Sequence, residues 1–170
     1  FGALYDLYSD KIYRYIYFRV RHKETAEDLV SQTFFKALEG IRSFDEAKGS
    51  FSSWLYHIAR NNMIDHYRAQ KVHFNIDDMW VLSTDENLEY DVQIKEKIEK
   101  VKECLTKLDG VQREIIIMKI WDGLTHREIS EILGKSEGSI KMTYSRAMGK
   151  LRKEEILALI ALCILINQII

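Results

Sequence analysis

The segment Leu124–Arg152, LTHREISEILGKSEGSIKMTYSRAMGKLR, constrains the fold more than any other part of this chain. Thr125 and Glu128 have the Thr-x-x-Glu spacing of a capping box, in which two side chains satisfy the open N–H groups of a helix start. Ile129, Ile132 and Leu133 then fall on one face at helical spacing. Gly134 stands where that helix should stop, since glycine tolerates the left-handed backbone of a C-cap. Ser136 is the next N-cap, and Gly138-Ser139 begins a second helix that carries Lys141, Arg146, Lys150 and Arg152. Two helices joined tightly, the second one basic, form a helix-turn-helix that places its second helix in a DNA major groove. A plain helical hairpin with a solvated basic face has the same local pattern. The remainder of the chain decides between them.

The chain has 170 residues and no proline. Proline breaks helix interiors but is common in loops, so its absence points to a mostly helical chain with short connections. A length of this order fits one medium domain or two small ones. The net charge of −1 conceals an uneven distribution. Asn75–Asp91 contains Asp77, Asp78, Asp85, Glu86, Glu89 and Asp91 and neither Lys nor Arg. The flanks are correspondingly basic, most of all after Lys95. Cys104 and Cys163 are far apart, lack metal-ligand spacing and sit among apolar neighbours, which predicts buried thiols in a reducing cytoplasm. No signal peptide is visible, and because the first residue is Phe1, a few residues are expected to precede it.

Periodicity divides the rest. Leu4–Val20 reads as an amphipathic helix with the stripe Leu4, Leu7, Tyr8, Ile12, Tyr15, Ile16 and Arg19, its aromatics mostly in a core. Lys23–Glu39 is a second helix with Thr25 as N-cap, an apolar stripe of Ala26, Leu29, Val30, Thr33, Phe34, Ala37 and Leu38, and Gly40 at its end. Ile41–Ser53 reads as a loop or short turn. Trp54–Gln70 is a third helix, with Trp54, Leu55, Ile58, Ala59, Met63, Ile64 and Tyr67 inward and His57, Arg60, Asn61, Asn62, Asp65 and Arg68 outward. Lys71–Asp91 loses periodicity and reads as a linker. Val92–Leu108 steps through Ile94, Ile98, Val101, Leu105 and Leu108 like an a/d seam, and Val111–Trp121 is a further apolar helix. The expected architecture is all-α: two small helical domains joined by an acidic linker, the C-terminal one a four-helix domain ending in the helix-turn-helix. The boundaries are 1–70, 71–91, 92–153 and an apolar tail, 154–170. Ile156–Ile170, without charge, is shorter than the ~20 residues of a bilayer span. It fits the first part of a transmembrane helix, a buried helix, or a helix packed on a partner.

Two motifs in this order resemble a known family. The segments AEDLVSQTFFKAL (Ala26–Leu38) and GSFSSWLYHIARN (Gly49–Asn61), followed by the acidic linker and the helix-turn-helix, resemble the extracytoplasmic-function (ECF) sigma factors of bacterial RNA polymerase, from Tyr5 to Arg152. The resemblance implies a first domain that binds core polymerase through its β′ clamp, using Asp28, Ser31, Gln32 and Phe35. Ser31-Gln32 replaces the family's usual Gln-Glu and shortens one polar contact. It also implies −10 recognition and melting by Phe44, Ser50, His57, Arg60, Asn61 and Arg68. A melted base needs apolar walls and a group that reads its edge, and the Asn61 amide offers both a donor and an acceptor. Trp54, on the apolar stripe, reads as core before stacking platform.

For the second domain the resemblance implies contact with the β flap and −35 recognition by Ser139, Lys141, Met142, Ser145 and Arg146. His126 and Arg127 would hold phosphate at a helix N-terminus. Ile140 and Ala147 read as core, and Tyr144 fits either role. The linker, with Trp80 and Leu82 as anchors, would be threaded near the polymerase active centre. Promoter DNA, core polymerase and an anti-sigma factor are the implied partners, with membrane contact through Ile156–Ile170 as a further option. The chain is expected to be cytoplasmic, to bind no cofactor or metal, and to catalyse nothing itself, since its histidines are scattered and it has no phosphate-binding glycine loop. The rival reading is a stand-alone helix-turn-helix transcriptional regulator. That reading needs a dimer and a palindromic site, and it gives the Gly49–Asn61 motif no task.

Overall fold

The computed structural model describes residues 1–20, 22–70, 103–151 and 155, and all regular structure among them is helical. Helix α1 spans Gly2–Val20 and α2 Lys23–Gly40. A 3-10 turn, Ile41–Ser43, leads through a loop to α3, Phe51–Gln70. Beyond the undescribed stretch come α4, Gly110–Ile120, α5, His126–Leu133, and α6, Glu137–Lys150. The chain divides into two compact units, one holding α1 to α3 together with Ser130–Lys135 and the other holding α4, the start of α5 and α6.

In the first unit the helical stripes meet as their spacing requires. Ile12, Tyr15 and Ile16 of α1, Ala26, Leu29, Val30, Phe34 and Ala37 of α2, and Leu55, Ala59, Met63 and Ile64 of α3 are buried. The aromatics of α1 depart from expectation. Tyr15 alone among its tyrosines is fully buried, Tyr5 and Leu7 are exposed, and Tyr8, Tyr13 and Tyr17 are half-buried. A tyrosine at the edge of a stripe keeps its hydroxyl in water while the ring packs. Tyr13 and Tyr17, four residues apart, stack on each other with centroids 5.6 Å apart.

Four local readings are corrected. The cap of α2 is His22, not Thr25: the imidazole Nδ1 accepts from the Thr25 N–H at 3.3 Å, so the helix starts two residues before the expected cap. Any acceptor at this position can satisfy an open N–H, and histidine lies outside the usual cap set. Helix α3 begins at Phe51 rather than Trp54. Its first turn is held by Ser50, whose Oγ accepts from the Ser53 N–H at 3.1 Å and whose carbonyl accepts from the Trp54 N–H at 3.1 Å. Asn62, placed outward with Asn61, is buried. Leu38, placed on the buried stripe, is exposed.

In the second unit, α4 is buried on every side over Ile115, Ile116, Ile117 and Met118, as a central helix must be. Leu124, Ile129, Ile140, Ala147 and Leu151 of this unit are buried as well. Asp109 caps α4, accepting from the Gln112 N–H at 2.8 Å. The Arg113 guanidinium donates to the carbonyls of Leu105 and Leu108 at 2.9 and 3.0 Å, closing the end of the helical turn at 103–106. Lys150 donates to Gln112 Oε1 at 2.8 Å and ties the end of α6 to α4. Cys104 is buried, and burial pushes its thiol up to about 11, so it is a packing residue rather than a reactive one.

The acidic linker with Trp80 and Leu82, the seam positions Ile94, Ile98 and Val101, Cys163 and the tail Ile156–Ile170 lie outside the described residues. Among the described residues no helix is long and apolar enough to cross a membrane, and no group of His, Cys, Asp and Glu could hold a metal ion.

Candidate functional surfaces

Three outward surfaces collect the residues singled out above. The first is the outer face of α2. Asp28, Ser31, Gln32 and Phe35 are all exposed and follow at intervals of three and four, so they share one face. Phe35 is 61% exposed, an unusual position for a phenylalanine, and Leu38, 50% exposed, continues the same row. The Ser31 hydroxyl donates to the Glu27 carbonyl of its own helix at 3.0 Å, which shortens its reach further. Leu38 was missed because it fits the buried stripe equally well; its three-residue step from Phe35 is the signal for the outer row.

The second surface is the loop before α3 and the exposed row of that helix. The loop is folded on Asp45, whose carboxylate accepts from the Ala47 N–H and whose carbonyl accepts from the Lys48 N–H, both at 3.0 Å. Phe44 lies 5.2 Å from the Trp54 ring and 5.6 Å from Phe51; Phe51 lies 5.6 Å from Trp54 and 5.5 Å from Tyr8. Trp54 is therefore half-exposed: one part of the indole closes over Gly40, where a Cβ would come within 3.2 Å, and another helps line a concavity with Phe44 and His57. It is core and wall at once. Ser50, expected as a DNA contact, is engaged as the α3 cap.

Along α3, His57, Asn61 and Arg68 are exposed in one row with Asp65 between them, and Arg60 is half-buried beside it. The Asn61 amide nitrogen lies 3.4 Å from His57 Nδ1. Burial, then the Arg60 charge, lowers the His57 pKa below 6.5, so the ring is neutral at physiological pH. The row thus offers arginine cations and a neutral His–Asn pair with donors and acceptors.

The third surface is the helix-turn-helix. The capping box is formed: the Thr125 N–H donates to Glu128 Oε2 at 2.8 Å and the Glu128 N–H to Thr125 Oγ1 at 3.2 Å. Gly134 takes φ +63°, and the Lys135 N–H reaches back to the Ser130 carbonyl at 3.0 Å, closing α5. Ser136 caps α6 by accepting from the Ser139 N–H at 3.2 Å. With Ile140 and Ala147 fully buried, α6 is oriented so that Ser139, Lys141, Met142, Ser145 and Arg146 are exposed. Met142 is 55% exposed, an apolar contact offered to solvent. Lys141 pairs with Glu137 one turn back at 2.7 Å, and that bond holds the Glu137 carboxyl below 4.5.

At the start of α5, Arg127 is exposed and His126 is half-buried. Its ring lies edge-on to Tyr144 with centroids 5.2 Å apart, and Nε2 is shielded from solvent. The expectation of a phosphate-holding His126 meets a different geometry, and the ambiguous Tyr144 is the ring that covers it.

Comparison with known proteins matches two family models to the chain, in order. Residues 4–72 match Sigma-70 region 2, and residues 98–151 match Sigma-70, region 4. The chain is 37% identical over 162 residues to the ECF RNA polymerase sigma factor BldN of Streptomyces coelicolor, covering 90% of this chain and 59% of that relative. It is 31% identical over 153 residues to the ECF RNA polymerase sigma factor SigM of Bacillus subtilis, covering 88% of this chain and 91% of SigM. Among solved structures, the sigma factor RpoE in complex with the anti-sigma factor NepR from Bartonella quintana aligns with a TM-score of 0.63 at 25% identity, over 92% of this chain and 95% of that one.

Proposed function

The chain belongs to the sigma-70 family of RNA polymerase sigma factors, in the ECF group, and from that premise we propose how its surfaces divide the work of promoter-specific transcription initiation. Residues 1–70 act as the unit that binds core polymerase and opens the −10 element. Residues 92–153 act as the unit that reads the −35 element and touches the β flap, and 71–91 is the tether.

The outer face of α2, with Asp28, Gln32 and Phe35, docks on the β′ clamp; Leu38 extends that contact. Phe44 and Trp54 wall a site for an unstacked base, Asn61 reads its edge, and Arg60 and Arg68 hold the backbone. On α6, Arg146 and Lys141 address guanine or phosphate, while Met142 and Ser145 meet a thymine methyl or neighbouring edge. Arg127 holds phosphate at the start of α5. Chemistry belongs to the polymerase, beside which the chain works in the cytoplasm. A regulatory anti-sigma factor, by analogy with the NepR-bound relative, completes the set of partners.

The observation that carries this reading is the orientation of α6: burial of Ile140 and Ala147 leaves the residues at the family's reading positions facing outward together. The stand-alone regulator is the weaker reading, because it leaves the exposed α2 face and the aromatic loop without a task. In vitro transcription with core polymerase tests the proposal. Defined start sites should appear only when the chain is added, and a chain that binds duplex promoter tightly by itself but yields no transcripts with core would sink it.

A further inference from the structure

Helices α5 and α6 meet through a ring pair whose chemistry is not that of a DNA contact. His126 is the first residue of α5, and its ring lies edge-on to Tyr144 of α6, 5.2 Å away at 64°. Its Nε2 is shielded from solvent and meets no hydrogen-bond partner among the described residues. A nitrogen so placed is tolerated as the lone pair or N–H of a neutral ring; a charged ring there would lose solvation at that nitrogen.

The charged groups that face it come from both packed helices. Lys119 of α4 and Lys141 of α6 oppose a positive ring, and Glu137 of α6 favours one. That carboxylate is already engaged by Lys141. The positive end of the α5 dipole adds to the cations, since His126 sits in the first turn. Burial first, then the two lysines, lowers its pKa below the ordinary 6.5.

We propose that His126 is a positioning residue for −35 recognition: a neutral ring wedged against Tyr144 seats α6 on α5, and uptake of a proton by that ring loosens the seat. Tyr144 stands between Met142 and Ser145-Arg146 along α6, so a shift at the ring pair displaces the reading residues together. The inference rests on α6 being the reading helix. It differs in sign from a phosphate contact, which would tighten as the imidazole gained charge.

The test uses holoenzyme reconstituted from core polymerase and the full chain, on a promoter with an intact −35 element and one with that element scrambled. Wild type, His126→Phe and Arg146→Ala are compared between about pH 7.5 and pH 5.5, the span in which histidine titrates. Phenylalanine keeps a ring against Tyr144 and has no proton to gain. The intact-to-scrambled affinity ratio of wild type should fall on acidification by at least about threefold more than that of His126→Phe, whose ring has no proton to take up. Matching pH profiles for the two, or a wild-type ratio that rises in acid, would overturn the proposal. Arg146→Ala separates it from its premise: if that variant leaves the ratio unchanged, the reading of α6 fails, whatever His126 does. The His126 ring proton, followed by NMR in the full chain, gives a readout independent of DNA and of any variant. Titration below 6.5 is expected, and titration at or above it would refute a neutral wedge.

Discussion

The side-chain amide of Asn62 donates to the Thr33 hydroxyl at 3.0 Å, joining α3 to α2 through a buried hydrogen bond. Thr33 passes the bond on, donating to the Leu29 carbonyl at 2.6 Å, and the Lys36 ammonium donates to the Asn62 carbonyl oxygen. Both Thr33 and Asn62 are almost fully buried. Helix α2, whose outer face is proposed for polymerase, is thereby locked to α3, whose outer row is proposed for the −10 strand.

Thr33→Val keeps the shape of the side chain and removes the hydroxyl, so one amide hydrogen of Asn62 is left buried without its acceptor. The expected loss of stability is about 1–3 kcal/mol, the usual cost of such an orphaned group. A urea titration reads it as a lower midpoint at unchanged slope. An unchanged midpoint would mean that water reaches the amide.

The neighbouring asparagine should behave in the opposite way. Asn61 is exposed, so Asn61→Ala is expected to change stability by no more than about 0.5 kcal/mol, as for surface positions generally. Its effect should appear in promoter opening, followed by permanganate reactivity of unpaired thymines, with duplex docking retained. Equal loss of docking and opening would count against an edge-reading amide at this position.

This pair shows what could be read from the chain before its structure was known and what could not. Periodicity alone placed Ile12, Leu29, Phe34, Leu55 and Met63 in the core, because apolar residues at three- and four-residue steps have one stable way to pack. The capping box at Thr125 and the left-handed Gly134 were equally legible, since each depends on residues adjacent in sequence. Asn62 was not. Polar residues default to the outer face, and its inward position depends on Thr33, 29 residues away, supplying a partner. The setting of His126 was hidden for the same reason: a histidine at a helix start reads as an anion site, and its ring neighbour Tyr144, 18 positions on, becomes evident only in space. The candidate residues on α2 and α6 came from the resemblance to the family, and the buried stripes of those helices leave them exposed.

Arg146 is exposed on α6 two positions after Tyr144 and in the row with Met142 and Ser145. Arg146→Ala should weaken binding to the cognate −35 element by about 1–3 kcal/mol and relax the preference at one base pair, as loss of a bidentate base contact does. Competition binding of holoenzyme against single-base variants of the element checks this. A uniform weakening across all variants would instead assign Arg146 to phosphate.

Gly134 holds the turn between α5 and α6 at φ +63°, with open space where a Cβ would stand. Gly134→Ala therefore meets no steric clash and reports backbone strain alone. The expected cost is about 1–2 kcal/mol, that of an L-residue in the left-handed region. Thermal unfolding of the full chain measures it. A neutral result would show that the turn relaxes to another conformation, and −35 binding by the same variant would then reveal whether α6 had moved.

The pH dependence of stability follows from the direction of three shifts. His57 and His126 are both held below 6.5, chiefly by burial, so the folded chain keeps them neutral where the unfolded chain has begun to take up protons. The unfolded state then binds more protons, and stability rises with pH across this window. Moving the other way, stability is complete above 6.5 and is lost as pH falls through that value, until the folded rings also titrate. Cys104 limits the alkaline side. Its thiol is raised from 9.0 to about 11, so stability declines as pH climbs past 9.0, where only the unfolded thiol ionises. Urea midpoints measured across this range should trace a plateau between the two limits. His57→Gln and His126→Phe should each flatten the acid limb, and Cys104→Ala the alkaline one. If the double histidine variant retains the full acid limb, carboxylates rather than these two rings are responsible for it.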